Sequence, residues 1–334
     1  MTIKDLAKKT GYGVATVSRV LNGQPSVSET ARSVILRAAE ESGFQLNSNA
    51  KQLKQQRSNA ILVVVKGRAN EMFSELLEYI QTLAAQVHLP LHVDYMDESL
   101  NEVQRAVQLC REMKPLGLLF LGGDEQNFSS DFHSIDIPSV LVTNDASKLG
   151  FPNLSSVCTN DRLASRAAME KMLELGHRSI AIVGGCKEIS TTSLLRYEGC
   201  MDALRSYGLD FDEKNSYRGV IFSYENGYRA TKELIDKGCN FTALFAAADV
   251  MAIGAIRALR DGGYRVPEDV SVMGFDGLPL GSYLVPQLST IRQSVADMAK
   301  LSVDMLISQI RDGAPARHIF VPFTLWQRES TRSI

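Results

Sequence analysis

The chain has 334 residues, 45% hydrophobic and 22% charged, with a formal net charge of −2. That length suggests about two domains with room for an appendage, and the composition is that of a soluble globular protein. No apolar run approaches the ~18 residues that a membrane-spanning helix needs. The first residues lack the basic, apolar, small-residue order of a signal peptide, so a cytoplasmic protein with no membrane partner is expected. Cys110, Cys158, Cys186, Cys200 and Cys239 are odd in number, widely spaced and form no C-x-x-C, which reads as reduced thiols.

The near-neutral total hides an asymmetry. Residues 1–60 hold nine Lys/Arg against four Asp/Glu, a surplus of five, and the remainder therefore carries a deficit of seven. A basic head on an acidic body puts any attraction for a polyanion at one end. An ordinary solvated basic face would give the same count.

Residues 2–44 read as all-helical. Thr2 caps a first helix with Asp5 at its third position and Ile3, Leu6 and Ala7 turned inward. Gly11 stops it. A second helix begins near Val14: "GVATVSRVLNG" sets Val17, Val20 and Leu21 on one side and Ala15, Thr16, Ser18, Arg19 and Asn22 on the other. Asn22-Gly23 and Pro25 end it. Ser28 caps a third helix whose Ala31, Val34, Ile35, Ala38 and Ala39 are spaced to cover the first two, with Gly43 closing it. Two short helices joined by a tight glycine-bearing turn, with a third as support, form a helix-turn-helix.

Residues 45–59, "QLNSNAKQLKQQRSN", offer only Leu46, Ala50 and Leu53 to bury. By composition this is a linker. Its "NAKQLKQQ" is nevertheless made of good helix formers, too short to be helical without a partner.

From residue 60 the pattern becomes apolar runs alternating with helix-length amphipathic stretches. The runs lie at 61–65, 91–96, 117–121, 139–143, 179–183, 217–222, 243–248 and 270–275. Such alternation predicts α/β structure, parallel sheets covered on both faces, with a ligand crevice at the strand C-termini. "HIFVPFTLW" reads as one last strand in which Pro322 marks an edge or a crossing point.

Catalytic signatures are missing. There is no G-x-x-x-x-G-K-[ST], no G-x-G-x-x-G after a strand and no G-x-S-x-G. His88 and His92 are separated by Pro90 and do not share a helical face, and His177 has nothing ligand-like near it in sequence. No enzyme, cofactor or metal site is expected.

The chain resembles the LacI/GalR family of transcriptional regulators over essentially its full length. "TIKDLAKKTGYGVATVSRVLNG" resembles that family's helix-turn-helix, and T-V-S-R-V-L-N is its most specific string. "NAKQLK" sits where the family has a hinge helix; "LELGHRSIAIVGG", "LLRYEGCMDAL" and "VPEDVSVMGFDGLPLGSYLVPQLSTIRQ" resemble landmarks of its body. The resemblance implies a small all-helical DNA-binding head at 1–45, a hinge at 46–59 and an effector-binding, dimerising body at 60–334. The body is expected to be periplasmic-binding-protein-like, with two doubly wound parallel-sheet subdomains joined by three crossovers. An N-subdomain at about 60–158 and 291–318 and a C-subdomain at about 159–288 and 320–334 are implied.

For DNA, the resemblance implies Val14, Ala15, Thr16 and Arg19 near base edges. Thr2, Ser18 and Asn22 would hold phosphates, although Ser18 and Asn22 also suit local capping. Leu53 is the implied minor-groove wedge, flanked by Lys51 and Lys54 for phosphate partners. For the effector, it implies Asn160, Arg196, Phe222, Asp249 and Asp276, a set that grips hydroxyls and stacks a ring. Asp249 would equally serve as a helix cap and Phe222 as core.

Several positions depart from the family. Gly13 replaces the common serine, "FQLN" replaces aromatic-x-Pro-Asn, Thr159 replaces a common aspartate and Ala248 a frequent asparagine. "VVVKGRANEMF" brings Lys66 and Arg68 near the expected cleft, which admits an anionic effector such as a sugar acid or phosphate; solvated loop charges fit equally. The implied function is an effector-responsive repressor of carbohydrate-related genes, binding a pseudo-palindromic operator in double-stranded DNA as a homodimer. The dimer is expected because no leucine heptad tail follows the last strand. The alternative is a solute-binding receptor of the same body fold.

Overall fold

A computed structural model of the protein describes residues 3–21, 27–42, 58–67 and 70–334. The chain divides into two compact units, Met1–Gln56 and Arg57–Ile334.

In the first unit, helices α1 (Ile3–Thr10), α2 (Val14–Leu21) and α3 (Glu29–Glu41) pack pairwise. Leu6 and Ala7 of α1, Val17 and Val20 of α2 and Ala31, Ile35 and Ala39 of α3 are buried together. Gly11 takes φ +72°, and its N–H bonds the Ala7 carbonyl at 3.0 Å, which closes α1 in a conformation that costs a glycine little. Ser28 caps α3 by accepting from the Ala31 N–H. Val34 departs from the expected stripe and is 42% exposed. The buried positions recur every four residues, and Val34 is turned about 100° from Ile35. The expected cap at Thr2, the turn at 22–25, Gly43 and the hinge residues up to 57 lie outside the described residues.

The second unit holds two six-stranded sheets. The first comprises β1 (Ile61–Lys66), β2 (Leu91–Met96), β3 (Gly117–Leu121), β4 (Ser139–Val142), β5 (Leu154–Thr159) and β11 (His318–Val321), in the order β11-β5-β4-β3-β1-β2 and all parallel. Helices α4 (Glu71–Gln86) and α12 (Val295–Asp312) cover one face, and α5 (Glu102–Met113) with α6 (Glu125–Asp131) the other. Phe120 on β3 is fully buried, and the Phe128 ring of α6 meets it edge-on at 5.0 Å. Sealing each such side chain from water contributes about 1.5–3 kcal/mol.

The second sheet comprises β6 (Ile180–Gly184), β7 (Tyr217–Gly219), β8 (Ala243–Ala246), β9 (Ser271–Asp276), β10 (Ser289–Gln293) and β12 (Phe323–Trp326), in the order β12-β10-β9-β8-β6-β7. Only the β10–β12 pair is antiparallel. Helices α7 (Asp161–Glu174) and α8 (Thr191–Ser206) lie on one face, α10 (Tyr224–Asp236) and α11 (Asp249–Asp261) on the other, and the short α9 (Glu213–Ser216) precedes β7.

Two strands lack an apolar run in the sequence, "LSSVCT" and "STIRQ", and both are almost wholly buried. The serine hydroxyls of β5 find partners, whereas Thr159 Oγ1 has none among the described residues: Ser156 Oγ meets Ala146 N at 3.0 Å and His318 Nδ1 at 2.8 Å, and Ser155 Oγ accepts from Arg317 N. Polar side chains satisfied in this way tolerate a dry strand. "HIFVPFTLW" is two strands rather than one: β11 joins the first sheet and β12 the second, with Pro322 alone between them. The chain thus crosses between sheets after Thr159, after Gln293 and at Pro322.

Candidate functional site

On α2 the exposed side is the one expected for a nucleic-acid interface. Val14, Ala15 and Arg19 are exposed, and Thr16 and Ser18 half-buried, while Val17 and Val20 point into the head. Thr2, Asn22, Lys51, Leu53 and Lys54 lie outside the described residues.

In a doubly wound sheet, the strand order reverses at a switch point, and the loops there diverge to leave a crevice. The second sheet reverses between β6 and β8, and the first between β1 and β3. Arg196, on α8, reaches the first of these points: one Nη1 hydrogen donates to the Ala247 carbonyl just beyond β8. Its Nε bonds Asp161 Oδ1 at 2.7 Å, and Nη1 lies 3.6 Å from Asp276 Oδ1. The guanidinium sits 3.7 Å from the Phe275 ring centre and 5.9 Å from that of Phe222. Arg196 is 5% exposed, Asp161 5% and Asp276 6%.

Asp276 ends β9 with φ +120°, a conformation few side chains adopt. Gln293 Nε2 donates to its Oδ1 at 2.8 Å. Burial pushes its carboxyl up to about 6, against the pull of Arg196 and that hydrogen bond. Burial also raises Asp161, again opposed by Arg196.

Asp249 is fully buried, and both its oxygens are engaged: Oδ2 accepts from Leu278 N and Oδ1 from Thr290 Oγ1, each at 2.6 Å. Burial, reinforced by the Asp276 charge, pushes it up to about 8. It anchors the turn that presents Asp276. Asn160 caps α7 through Oδ1, which accepts from Leu163 N at 3.1 Å. Phe222 is half-buried, its ring beside Gly185 and Ser193; a Cβ on Gly185 would lie 2.7 Å from that ring. Arg196, Asp276 and Phe222 therefore converge, whereas the carboxylate of Asp249 is taken up by Leu278 N and Thr290 Oγ1 and the Oδ1 of Asn160 by Leu163 N.

An ion pair lies at the switch point of the first sheet. Lys66, at the end of β1, bonds Glu102 Oε2 at 2.6 Å. Glu102, at the start of α5, is fully buried and also accepts from Asp124 N and Asn127 Nδ2. The Lys66 charge is thus paired within the fold. Arg68 lies outside the described residues.

Helix starts and one loop carry direct contacts between the two subdomains. The Tyr224 hydroxyl donates to Glu71 Oε1, and Asn144 Nδ2 donates to Thr192 Oγ1 at 2.9 Å. Reading the sequence missed Asp161 and Gln293 as partners of the site. An acid in a helix's first turn reads as a dipole partner, and a glutamine after a strand carries no signal of its own.

A helix-turn-helix head, followed by paired α/β subdomains with a guanidinium–carboxylate cluster at the switch point of the second sheet, defines a ligand-responsive DNA-binding protein. The match to known families is specific. Residues 2–47 match the bacterial regulatory proteins of the lacI family, and residues 169–331 a periplasmic binding protein-like domain. The HTH-type transcriptional regulator MalR of Clostridium butyricum is 32% identical over 339 residues, with 100% of both chains covered. Among solved structures, the lac repressor dimer bound to operator and the anti-inducer ONPF matches with a TM-score of 0.74 at 27% identity, covering 100% of this chain and 99% of that one. A CelR–cellobiose complex matches with a TM-score of 0.73 at 26% identity, with 99% of each chain covered. The chain belongs to the LacI family of bacterial transcriptional regulators.

Proposed function

We propose that the chain is a homodimeric repressor of carbohydrate-related genes, acting in the cytoplasm on a pseudo-palindromic operator, and that its effector is an uncharged sugar or sugar derivative. The observation that carries the effector class is the buried Arg196–Asp161–Asp276 cluster. Guanidinium and carboxylate side by side give a donor fork next to an acceptor, which suits vicinal hydroxyls. Phe222 supplies an apolar face for a pyranose ring. Arg196 is paired within the site and Lys66 is paired with Glu102, so neither cation is left over for an anion. Relatives regulate transcription, and the cluster holds no nucleophile with an adjacent base, so turnover of the effector is not part of this reading.

A thermal-shift series with glucose, cellobiose, glucuronate and glucose 6-phosphate tests the effector class, because a ligand stabilises the state it binds. Neutral sugars are expected to raise the melting temperature. Stabilisation by the anions alone would overturn the uncharged reading. Removing residues 1–58 tests the division of labour: the remaining body is expected to stay folded and keep the sugar shift while losing operator binding. Specific DNA binding by the truncated body would refute it, and a full-length chain without specific DNA binding would favour a receptor. In the full chain, Leu53→Ala is expected to weaken specific binding far more than nonspecific binding.

A further inference from the structure

We propose that Glu75 and Arg292 are positioning residues for effector control: their ion pair fastens the Asp276–Gly277 turn to helix α4, so that turn and helix move together. The proposal rests on the reading of Asp276 as an effector residue only for its biological meaning. The mechanical claim stands on geometry.

Helix α4 packs on α12 and covers the first sheet. Its first turns nevertheless reach the second subdomain through three side chains. Glu71 accepts from the Tyr224 hydroxyl, Met72 Sδ accepts from Gln293 Nε2 at 3.1 Å, and Glu75 meets Arg292. Positions 71, 72 and 75 fall on one side of the helix, one turn apart. The Glu75 contact is a fork: Arg292 Nη2 lies 2.7 Å from Oε1 and Nη1 3.4 Å from Oε2. Two parallel bonds fix orientation as well as distance, which a lysine would not do.

The other side of Arg292 meets the pocket. Its Nη1 also donates to the Gly277 carbonyl, next to Asp276. Gly277 has φ +74°, and a Cβ there would lie 2.5 Å from Arg292 Cδ and 2.7 Å from its Cα. No space separates the turn from the arginine, so displacing one displaces the other. Gln293 gives a second path, bonding both Asp276 and Met72. The side chains of Arg292 and Glu75 are 23% and 18% exposed, so water screens the pair less than a surface ion pair. The guanidinium also lies 5.5 Å from the ring centre of Trp326, the only tryptophan in the chain.

Hydrogen exchange on the full chain without added sugar tests the link. Glu75→Gln is expected to speed exchange of the 276–281 amides about fivefold or more, while amides of β3, which open by global unfolding, keep their rate. Arg292→Lys should do the same, and Glu75→Asp should restore part of the protection. From the opposite side, Gly277→Ala should speed exchange at 71–77, since coupling is reciprocal. Acrylamide quenching of Trp326 should rise in Glu75→Gln. Changes confined to α4 in Glu75→Gln, with residues 276–281 unaffected, overturn the proposal. Should Gly277→Ala not fold, the Glu75 and Arg292 variants decide alone. No sugar is added, so an unresponsive sugar panel and a failed link remain separate results.

Discussion

Arg196 and Asp161 form an ion pair of 2.7 Å with each side chain at least nine-tenths buried, and Asp276 leans on the same guanidinium at 3.6 Å. Replacing Arg196 with methionine leaves two buried carboxyl groups facing one another. The expected outcome is a loss of about 3–5 kcal/mol in a urea titration, together with loss of any sugar-induced thermal shift. An unchanged urea midpoint would show that the cluster is wetter than it looks.

Asp249 sets a pH dependence of stability. Its folded-state value is raised to about 8 from an ordinary 3.8. Below the ordinary value both states hold the proton; as pH rises from there towards 8, the unfolded chain releases it and the folded chain does not. The contribution to stability is thus full in acid and is lost as pH rises through the folded value. Asp276, raised to about 6, acts in the same direction and finishes earlier. The melting temperature of the wild type should fall between pH 6.5 and 8.5. Asp249→Asn, which can still accept from Leu278 N and donate to Thr290, should flatten that slope. A slope that survives in the variant would assign it elsewhere.

Lys66→Met removes the cation from a fully buried Glu102, and about 3 kcal/mol of stability should go with it. Because the lysine serves the fold, the order in which sugars stabilise the protein should not change. A gain or loss of response to anionic sugars in this variant would return Lys66 to the effector site.

Arg19→Ala tests the head. The side chain is exposed, so folding should be unaffected, while operator affinity should fall by about ten- to a hundredfold. The loss should depend on operator sequence; an equal loss on random DNA would make Arg19 a phosphate contact instead.

The exposed face of α2 was legible in the sequence because helical periodicity alone assigns Val17 and Val20 to the core and Arg19 to the outside. Arg196 and Asp276 were legible through their resemblance to family landmarks. What escaped was long-range. Lys66 reads as a lone cation at a strand end because Glu102, which neutralises it, lies 36 residues further on, in the helix that follows β2. Asp161 reads as a first-turn acid, since nothing local reveals an arginine folded back onto it. "STIRQ" carries too few apolar residues to announce a strand, yet it is paired on both sides and supplies Arg292 and Gln293. Val34 went the other way: its spacing fits a core stripe, but it is turned about 100° from the buried Ala31–Ile35–Ala39 row and stays exposed.

The single residue between β11 and β12 limits what the body can do mechanically. Pro322 has a ring-locked φ and no N–H, so neither ladder can extend through it and the two sheets cannot merge into one. A linker one residue long also cannot stretch. Any relative motion of the sheets at this point must be a twist, taken up mainly by ψ of Pro322 and by its neighbours, rather than a sliding or a separation. The body is therefore built as two plates on a short axle, unable to drift apart at that point, with the Glu75–Arg292 fork bracing any turn between them.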